Sequence, residues 1–264
     1  MIVDGKYADA PLNIQKILQG STVTGIDIGC SNSHVYRIFQ NGHSVYLKTQ
    51  SATAPYSFAH EAEILQWLQG KLPVPEVLEY TCCREHEYLV LSEISGQNCI
   101  DAMESLEYSQ IVFLLATGLR AIHAVDISAC PFDERIDEKL KKARYNVEHN
   151  LVDEDDFDAE RRGIMTSSEV LQLLESSRPP ENNLVFTHGD YCLPNVIIQD
   201  GEINGFIDLG RAGIGDRYND LAIVSRSIRD NLGTQYERLF FEYYGIERVD
   251  EGKTAYYRLM DELF

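Results

Sequence analysis

The sequence predicts an α+β protein in two parts, a small β-rich part followed by a larger, mainly helical one. Three observations predict it. Residues 22–50 hold runs of β-branched and aromatic residues around an Asn41-Gly42 turn, residues 57–72 switch once to helical spacing, and long helical patterns dominate from about residue 103. The 264 residues are 44% hydrophobic, which is enough core for one large or two medium domains.

Taken in order, "TVTGIDI", "SHVYRIF" and "SVYLKT" read as strands, with Asn41-Gly42 as a two-residue hairpin turn. "SFAHEAEILQWLQGKL" places Phe58, Ala62, Leu65 and Leu68 along one helix face, and Pro73 and Pro75 are expected to end it. "EYLVLSEI" reads as a further strand. "SQIVFLLATGLRAIHAVD" is the strongest helical pattern, and its His123 reads as a satisfied core histidine. "DEDDFDAERR" then packs six acids into residues 153–160, and "VLQLLESS" is a short helix. Helices follow through "DLAIVSRSIRDNL", "QYERLFFEYYG" and the terminal "YYRLMDELF". Asp216 and Asp220 read as caps and braces at the start of the "DLAIVSRS" helix.

Bulk properties exclude several classes. Asp and Glu total 42 against 23 Lys and Arg, a net charge of −19, and such a surface is a poor partner for nucleic acid or an anionic membrane. It suits either plain solubility or a cleft that concentrates a cationic ligand. No apolar run reaches the roughly 18 residues of a membrane span, and the amino terminus lacks the order of a signal peptide. Six cysteines without metal-site spacing read as free thiols of a cytoplasmic protein.

The chemistry centres on "HGDYCLPN", residues 188–195. Asp200-Gly201 signals a hairpin just after it. With the turn centred there, Gln199 faces Glu202 and Asn195 faces Phe206. Asp208, two residues on, then shares a sheet face with Asn195 at a diagonal of roughly 7–8 Å. A magnesium ion, with metal–oxygen distances of about 2.0–2.1 Å, fits between such an amide oxygen and carboxylate. Asp190 stands free on the loop before them. Phosphoryl transfer needs this set, plus a lysine on the phosphates. Lys48 closes the strand "VYLK", and Glu61 on the next helix can pair with it. Neither G-x-x-x-x-G-K-[ST] nor G-x-G-x-x-G occurs, so "GIDIGCSNSHVY" would have to cover the phosphates.

"HGDYCLPN" followed by "FIDLGRAGIGDRYND" resembles the catalytic and metal loops of the aminoglycoside phosphotransferases, and most closely those of the 3′-phosphotransferases, or kanamycin kinases. "WLQGKLPVPEVL", "VDISACPF", "SIRDNLG" and "LMDELF" extend the likeness from about residue 25 to the end. The resemblance implies a two-lobed, protein-kinase-like fold: a nucleotide-binding lobe over 1–92, a hinge at 93–97 and a catalytic, substrate-binding lobe over 98–264. It implies ATP, with GTP as the other candidate, and Mg²⁺ as cofactors. Asp190 would be catalytic, and Asn195 and Asp208 would bind the metal. Ser31, Tyr46, Lys48, Glu61, Ser92 and Ile94 would serve the nucleotide.

Aminoglycosides are polycations, and the resemblance places Asp155, Asp158, Asp230, Asn231, Glu262 and the terminal carboxylate of Phe264 at the antibiotic. Arg211 and Arg226 would shape that acid cluster through ion pairs. His188 reads as a brace and Gly189 as a backbone requirement. The expected partners are an antibiotic and a nucleotide, with no nucleic acid and no membrane, for a monomer or weak dimer. Two other readings remain open at this stage: a kinase of choline, a macrolide or a sugar on the same fold, and a non-catalytic nucleotide-binding scaffold.

Overall fold

The computed structural model describes residues 10–26, 33–54, 56–83, 85–159 and 161–264. The chain divides into two compact units, Met1–Ser95 and Gly96–Phe264.

The first unit holds α1 (Leu12–Leu18), β1 (Thr22–Ile26), β2 (His34–Gln40), β3 (His43–Ser51), α2 (Phe58–Leu68), β4 (Val77–Cys83) and β5 (His86–Ser92). The strands form one antiparallel sheet in the order β1-β2-β3-β5-β4. Asn41 and Gly42 both take positive φ, 53° and 82°, as the tight hairpin between β2 and β3 requires. Period-two alternation then sorts the side chains. Leu47, Val90, Tyr88 and Ile38 pack with Ile14 of α1 and Ala10 in one core. Tyr46, Lys48 and Gln50 therefore share the opposite face of β3.

Helix α2 starts at Ser57, whose hydroxyl accepts the Ala59 N–H. Its buried stripe is Phe58, Ala62, Ile64, Leu65 and Leu68. The helix ends before the prolines, at Gln69 and the left-handed Gly70 (φ 76°), so a glycine stop and not Pro73 terminates it. The sequence reading missed α1 and β4.

The second unit holds β6 (Gln97–Asn98), α3 (Cys99–Ala102), α4 (Tyr108–His123), α5 (Ile136–Glu148), α6 (Ser167–Ser176), β7 (Leu184–Thr187), β8 (Val196–Gln199), β9 (Glu202–Phe206), β10 (Gly213–Asp216), α7 (Tyr218–Asn231), α8 (Thr234–Tyr244) and α9 (Glu251–Asp261). Helix α4 buries Ile111, Val112, Leu115, Ala116, Leu119 and Ile122 and packs on α8, while α7 packs on α9. Gly118 of α4 leaves the room that the fully buried Tyr191 needs: a Cβ there would stand 2.6 Å from the tyrosine oxygen. That hydroxyl donates to Leu115 O at 2.9 Å, which anchors the 188–195 loop on α4. Among the described residues, no helix is long and apolar enough to cross a membrane.

The β8–β9 hairpin turns at Asp200 and Gly201, with φ of 52° and 80°. Its register differs from the expectation. A bulge between Ile197 and Ile198 sets Ile197 opposite Gly205 and Val196 opposite Phe206. Asn195 consequently meets Ile207, whose N–H donates to its carbonyl at 3.0 Å, and not Phe206. Asp208 lies beyond the end of β9 in the left-handed region (φ 64°), so a sheet diagonal is not what relates it to Asn195.

Candidate active site

In the first unit, Lys48 is buried and sits opposite Leu89 in the β3–β5 ladder. Its ammonium donates to both carboxylate oxygens of Glu61, at 2.8 and 2.7 Å. Glu61 is likewise buried, one turn into α2. A buried ion pair of this kind is costly to break from one side, since the remaining charge keeps its desolvation penalty. Tyr46, half-buried on the same strand face, has its phenol pKa raised, first by burial and then by Glu93. Ser92 is bound to Glu76 through its hydroxyl and its N–H, at 2.8 and 2.9 Å. Ile94 is half-buried just past β5. Ser31 lies outside the described residues.

In the second unit, the strand β7 delivers a loop whose bends are fixed by small and buried groups. Gly189 has φ 87°, and a Cβ on it would lie 1.9 Å from the Arg211 carbonyl oxygen. Asp220 of α7, fully buried, accepts the N–H groups of His188 and Gly189 at 2.8 and 2.9 Å and the His123 Nε2–H at 3.0 Å. Burial alone would raise its pKa, but these bonds and the neighbouring histidines hold it below the usual carboxylate range. His123 gives its other nitrogen to Tyr244 Oη at 2.7 Å, the satisfied core histidine that was expected. Asp216 caps α7 by accepting the Tyr218 N–H.

His188 ties the two loops together. Its Nε2–H donates to Ile207 O at 3.1 Å, and its Nδ1 accepts the Asp190 N–H at 3.3 Å, so the ring is neutral and its tautomer is set. Burial pushes its pKa down against the pull of Asp220, Asp190 and Asp208.

Asp190 is oriented from two sides. Asn195 Nδ2 donates to its carbonyl at 2.9 Å and to its Oδ2 at 3.0 Å, while Arg211 pairs with Oδ1 at 3.1 Å. Both acceptors of the Asn195 amide nitrogen belong to Asp190, so the amide oxygen is turned away from that carboxylate. The carboxylates of Asp190 and Asp208 both add to the upward shift that burial gives the Cys192 thiol, and both act on the His188 ring.

Ion pairs of alternating sign run on from Asp190. Arg211 also binds Asp261 at 3.3 Å, and Asp261 binds Arg226. Arg226 approaches Asp158 at 3.9 Å, and Asp158 meets Arg161 at 3.3 Å. Arg161 binds Glu262 at 3.0 Å, and Glu262 also accepts the Asp158 N–H. The Arg211 guanidinium lies 5.7 Å from the centre of the Phe264 ring.

Thus Asp158, Arg211, Arg226, Glu262 and Phe264 gather in one network. The outer candidates make other contacts: Asp155 is exposed, Asp230 pairs with its neighbour Arg229 at 2.9 Å, and Asn231 bonds back to Ser227 O. Glu262, with its side chain only 2% exposed, is held as a brace on the acidic loop. Asp261, the bridge between two arginines, was missed; within "LMDELF" nothing local distinguishes it from an exposed helix end.

The sequence model of the phosphotransferase enzyme family matches residues 22–260. The chain is 39% identical to an aminoglycoside 3′-phosphotransferase of Niallia circulans, over 96% of this chain and 97% of that relative. It is 36% identical to the aminoglycoside 3′-phosphotransferase of Enterococcus faecalis, over 89% and 91%. Its fold is similar to that of the crystal structure of an aminoglycoside 3′-phosphotransferase of type VIII, with TM-score 0.83, 31% identity and coverage of 93% and 94%. An aminoglycoside phosphotransferase of Streptomyces rimosus, solved with ADP and streptomycin, gives 0.78 at 27% identity, over 91% and 92%. With its kinase-like catalytic loop and its likeness over nearly the whole length of these enzymes, the chain belongs to the phosphotransferase enzyme family, among the aminoglycoside 3′-phosphotransferases.

Proposed function

We propose that this protein transfers the γ-phosphoryl group of ATP to the 3′-hydroxyl of aminoglycosides of the kanamycin and neomycin class and so confers resistance to them. The observation that carries the reading is the Asp190 carboxylate, oriented by Asn195 and Arg211 on a loop locked by Asp220 and His188. Asp190 aligns the sugar hydroxyl and takes its proton as the oxygen–phosphorus bond forms. The bond from the γ-phosphorus to its bridging oxygen breaks, and ADP leaves.

Lys48, kept in place by Glu61, holds phosphate oxygens of the nucleotide. Ser31 is a further candidate for them, Tyr46 stacks on the base, and the Ser92–Ile94 backbone bonds its edge. GTP is the other candidate nucleotide. The oxygen donors at the end of the hairpin fit Mg²⁺: the Asn195 amide oxygen, left over when its nitrogen binds Asp190, and the Asp208 carboxylate. An ion held there would offset phosphate charge.

Asp155, Asp158, Asp230, Asn231, Glu262 and the Phe264 carboxylate are the candidates for ammonium groups, shaped by Arg211 and Arg226. The proposal extends to lobes over 1–92 and 98–264 joined by a hinge at 93–97, and to a cytoplasmic monomer or weak dimer. The test is phosphorylation of kanamycin, gentamicin, choline and erythromycin with ATP, read by mass spectrometry. A phosphate on kanamycin and none on gentamicin lacking a 3′-hydroxyl supports the reading. Phosphorylation of choline or erythromycin with kanamycin untouched overturns it.

A further inference from the structure

The Lys48–Glu61 pair requires α2 to be held in one place, and the structure shows a group that can hold it. Glu87 lies on β5, opposite Gln50 of β3 and two residues from Leu89, the partner of Lys48. It is 5% exposed. Its Oε1 accepts the Ser57 hydroxyl at 2.5 Å and the Tyr80 hydroxyl at 2.8 Å. Its Oε2 accepts the Phe58 N–H at 2.9 Å and the Gln50 side-chain amide at 2.8 Å. Four donors thus meet one carboxylate, and two of them, Ser57 and Phe58, are the cap and first residue of α2.

Three features make this more than a surface contact. Ser57 gives its proton to Glu87 and its lone pair to Ala59, so the capping geometry of α2 depends on the strand carboxylate. A negative charge at a helix N-terminus is favoured by the orphan N–H groups there. Gln50 adds a second tie by donating to Tyr56 O at 2.6 Å, just before the cap. Burial would raise the Glu87 pKa, yet its bonds to Ser57, Gln50, Phe58 and Tyr80 bring it below the usual range, so it remains a carboxylate. From Phe58 to Glu61 is less than one turn. Fixing the first residue of α2 to the β3–β5 pair therefore fixes the height and rotation at which Glu61 meets Lys48.

The geometry points to Glu87 as a positioning residue that locks α2 onto the Lys48-bearing strands, so that the Lys48–Glu61 pair stands ready for nucleotide without a separate switch. The inference rests on the reading above, in which Lys48 holds nucleotide phosphates. Removal of the carboxylate lets the start of α2 move and Glu61 leave Lys48. The effect falls on nucleotide and not on the antibiotic.

The test uses the full chain and four single variants: Glu87→Gln, Ser57→Ala, Glu61→Gln and Lys48→Ala. ADP affinity is measured by calorimetry, KM by steady-state assay with ATP and kanamycin, and amide exchange across residues 57–68. Glu87→Gln, which sets an amide donor among donors, weakens ADP binding and raises KM for ATP about tenfold, the loss expected when hydrogen bonds to a charged group go. KM for kanamycin stays within about twofold, and exchange quickens across 57–68 but not in α4. Ser57→Ala, which keeps three of the four donors, shifts the same quantities less and decides the matter if Glu87→Gln fails to fold.

The double variant Glu87→Gln with Glu61→Gln is no weaker for ADP than Glu61→Gln alone, because both act through one contact. Unchanged ADP affinity in Glu87→Gln beside a large loss in Lys48→Ala overturns the lock. Equal loss for ADP and kanamycin, or full additivity with Glu61→Gln, assigns Glu87 to general stability and overturns it too. Unchanged ADP affinity in Lys48→Ala removes the nucleotide role of Lys48, a failure of the underlying reading that carries the lock away with it.

Discussion

Substitution of Gly189 by alanine tests whether the catalytic loop depends on close backbone approach or only on glycine's freedom. Two costs arise. The residue sits at φ 87°, where a side chain adds about 1–2 kcal/mol of strain. The new methyl would also stand 1.9 Å from Arg211 O, well inside the 3.0 Å below which real Cβ atoms essentially never come. The two loops must therefore part by about 1 Å, a shift that no flexible side chain can absorb because the opposing atom is backbone. Arg211 is the partner of Asp190 at 3.1 Å, so the same movement disturbs the carboxylate directly and through its ion pair. Misplacement on this scale costs about 100-fold in rate. Gly201→Ala is the control, because Gly201 has φ 80° with nothing within 4 Å of its added Cβ; it carries the strain without the clash. Steady-state ATP turnover with kanamycin should fall about 100-fold in Gly189→Ala and stay within about threefold in Gly201→Ala. Equal turnover in the two folded variants would refute the close-approach argument.

Asp190→Ala should leave ADP affinity largely intact while turnover drops about 10²–10⁴-fold, the range for a group acting on the transferred proton; near-normal turnover removes it from that role. KM for kanamycin should climb with added salt, as the screening length shrinks from about 8 Å at 0.15 M to 3 Å at 1 M, and a salt-independent KM counts against binding by carboxylates. His188 supplies a pH effect. Its folded pKa lies below the usual imidazole value, so the unfolded chain binds the extra proton first, and stability is lost as pH falls below about 6.5. Asp220, depressed as a carboxylate, contributes stability that is lost only as pH falls below about 3.9 and through its folded value, outside that window. Denaturant midpoints between pH 5 and 7 should therefore flatten in His188→Gln, and an unchanged slope there would show that another group governs it.

What the sequence carried, and what it could not, divides by the range of the forces involved. The Asn41-Gly42 and Asp200-Gly201 turns are local chemistry, and both form with positive φ at each central residue. The stripe of α2 is equally local. The β8–β9 bulge is not: one extra residue shifts Asn195 from Phe206 to Ile207, and only Gly205 inside the strand hinted at it. Strand β10, "GIGD", has little strand propensity. It forms because Gly213 and Gly215 let the backbone come against Phe132 and Glu134, with Ile214 bonded on both sides to that segment.

The site shows the same division. The spacing of Asp190, Asn195 and Asp208 announced phosphoryl transfer, but Asp190 is held by Arg211, and Arg211 by Asp261, 50 residues further on. Net charge misleads for a related reason. The chain Asp190–Arg211–Asp261–Arg226–Asp158–Arg161–Glu262 has four carboxylates and three guanidiniums, hence one net negative charge out of the −19. An ammonium group arriving there competes with a guanidinium for each carboxylate it would bind. Selectivity at such a site follows from which pairs can be exchanged at fixed geometry, and the count of acids in the sequence contains no measure of that.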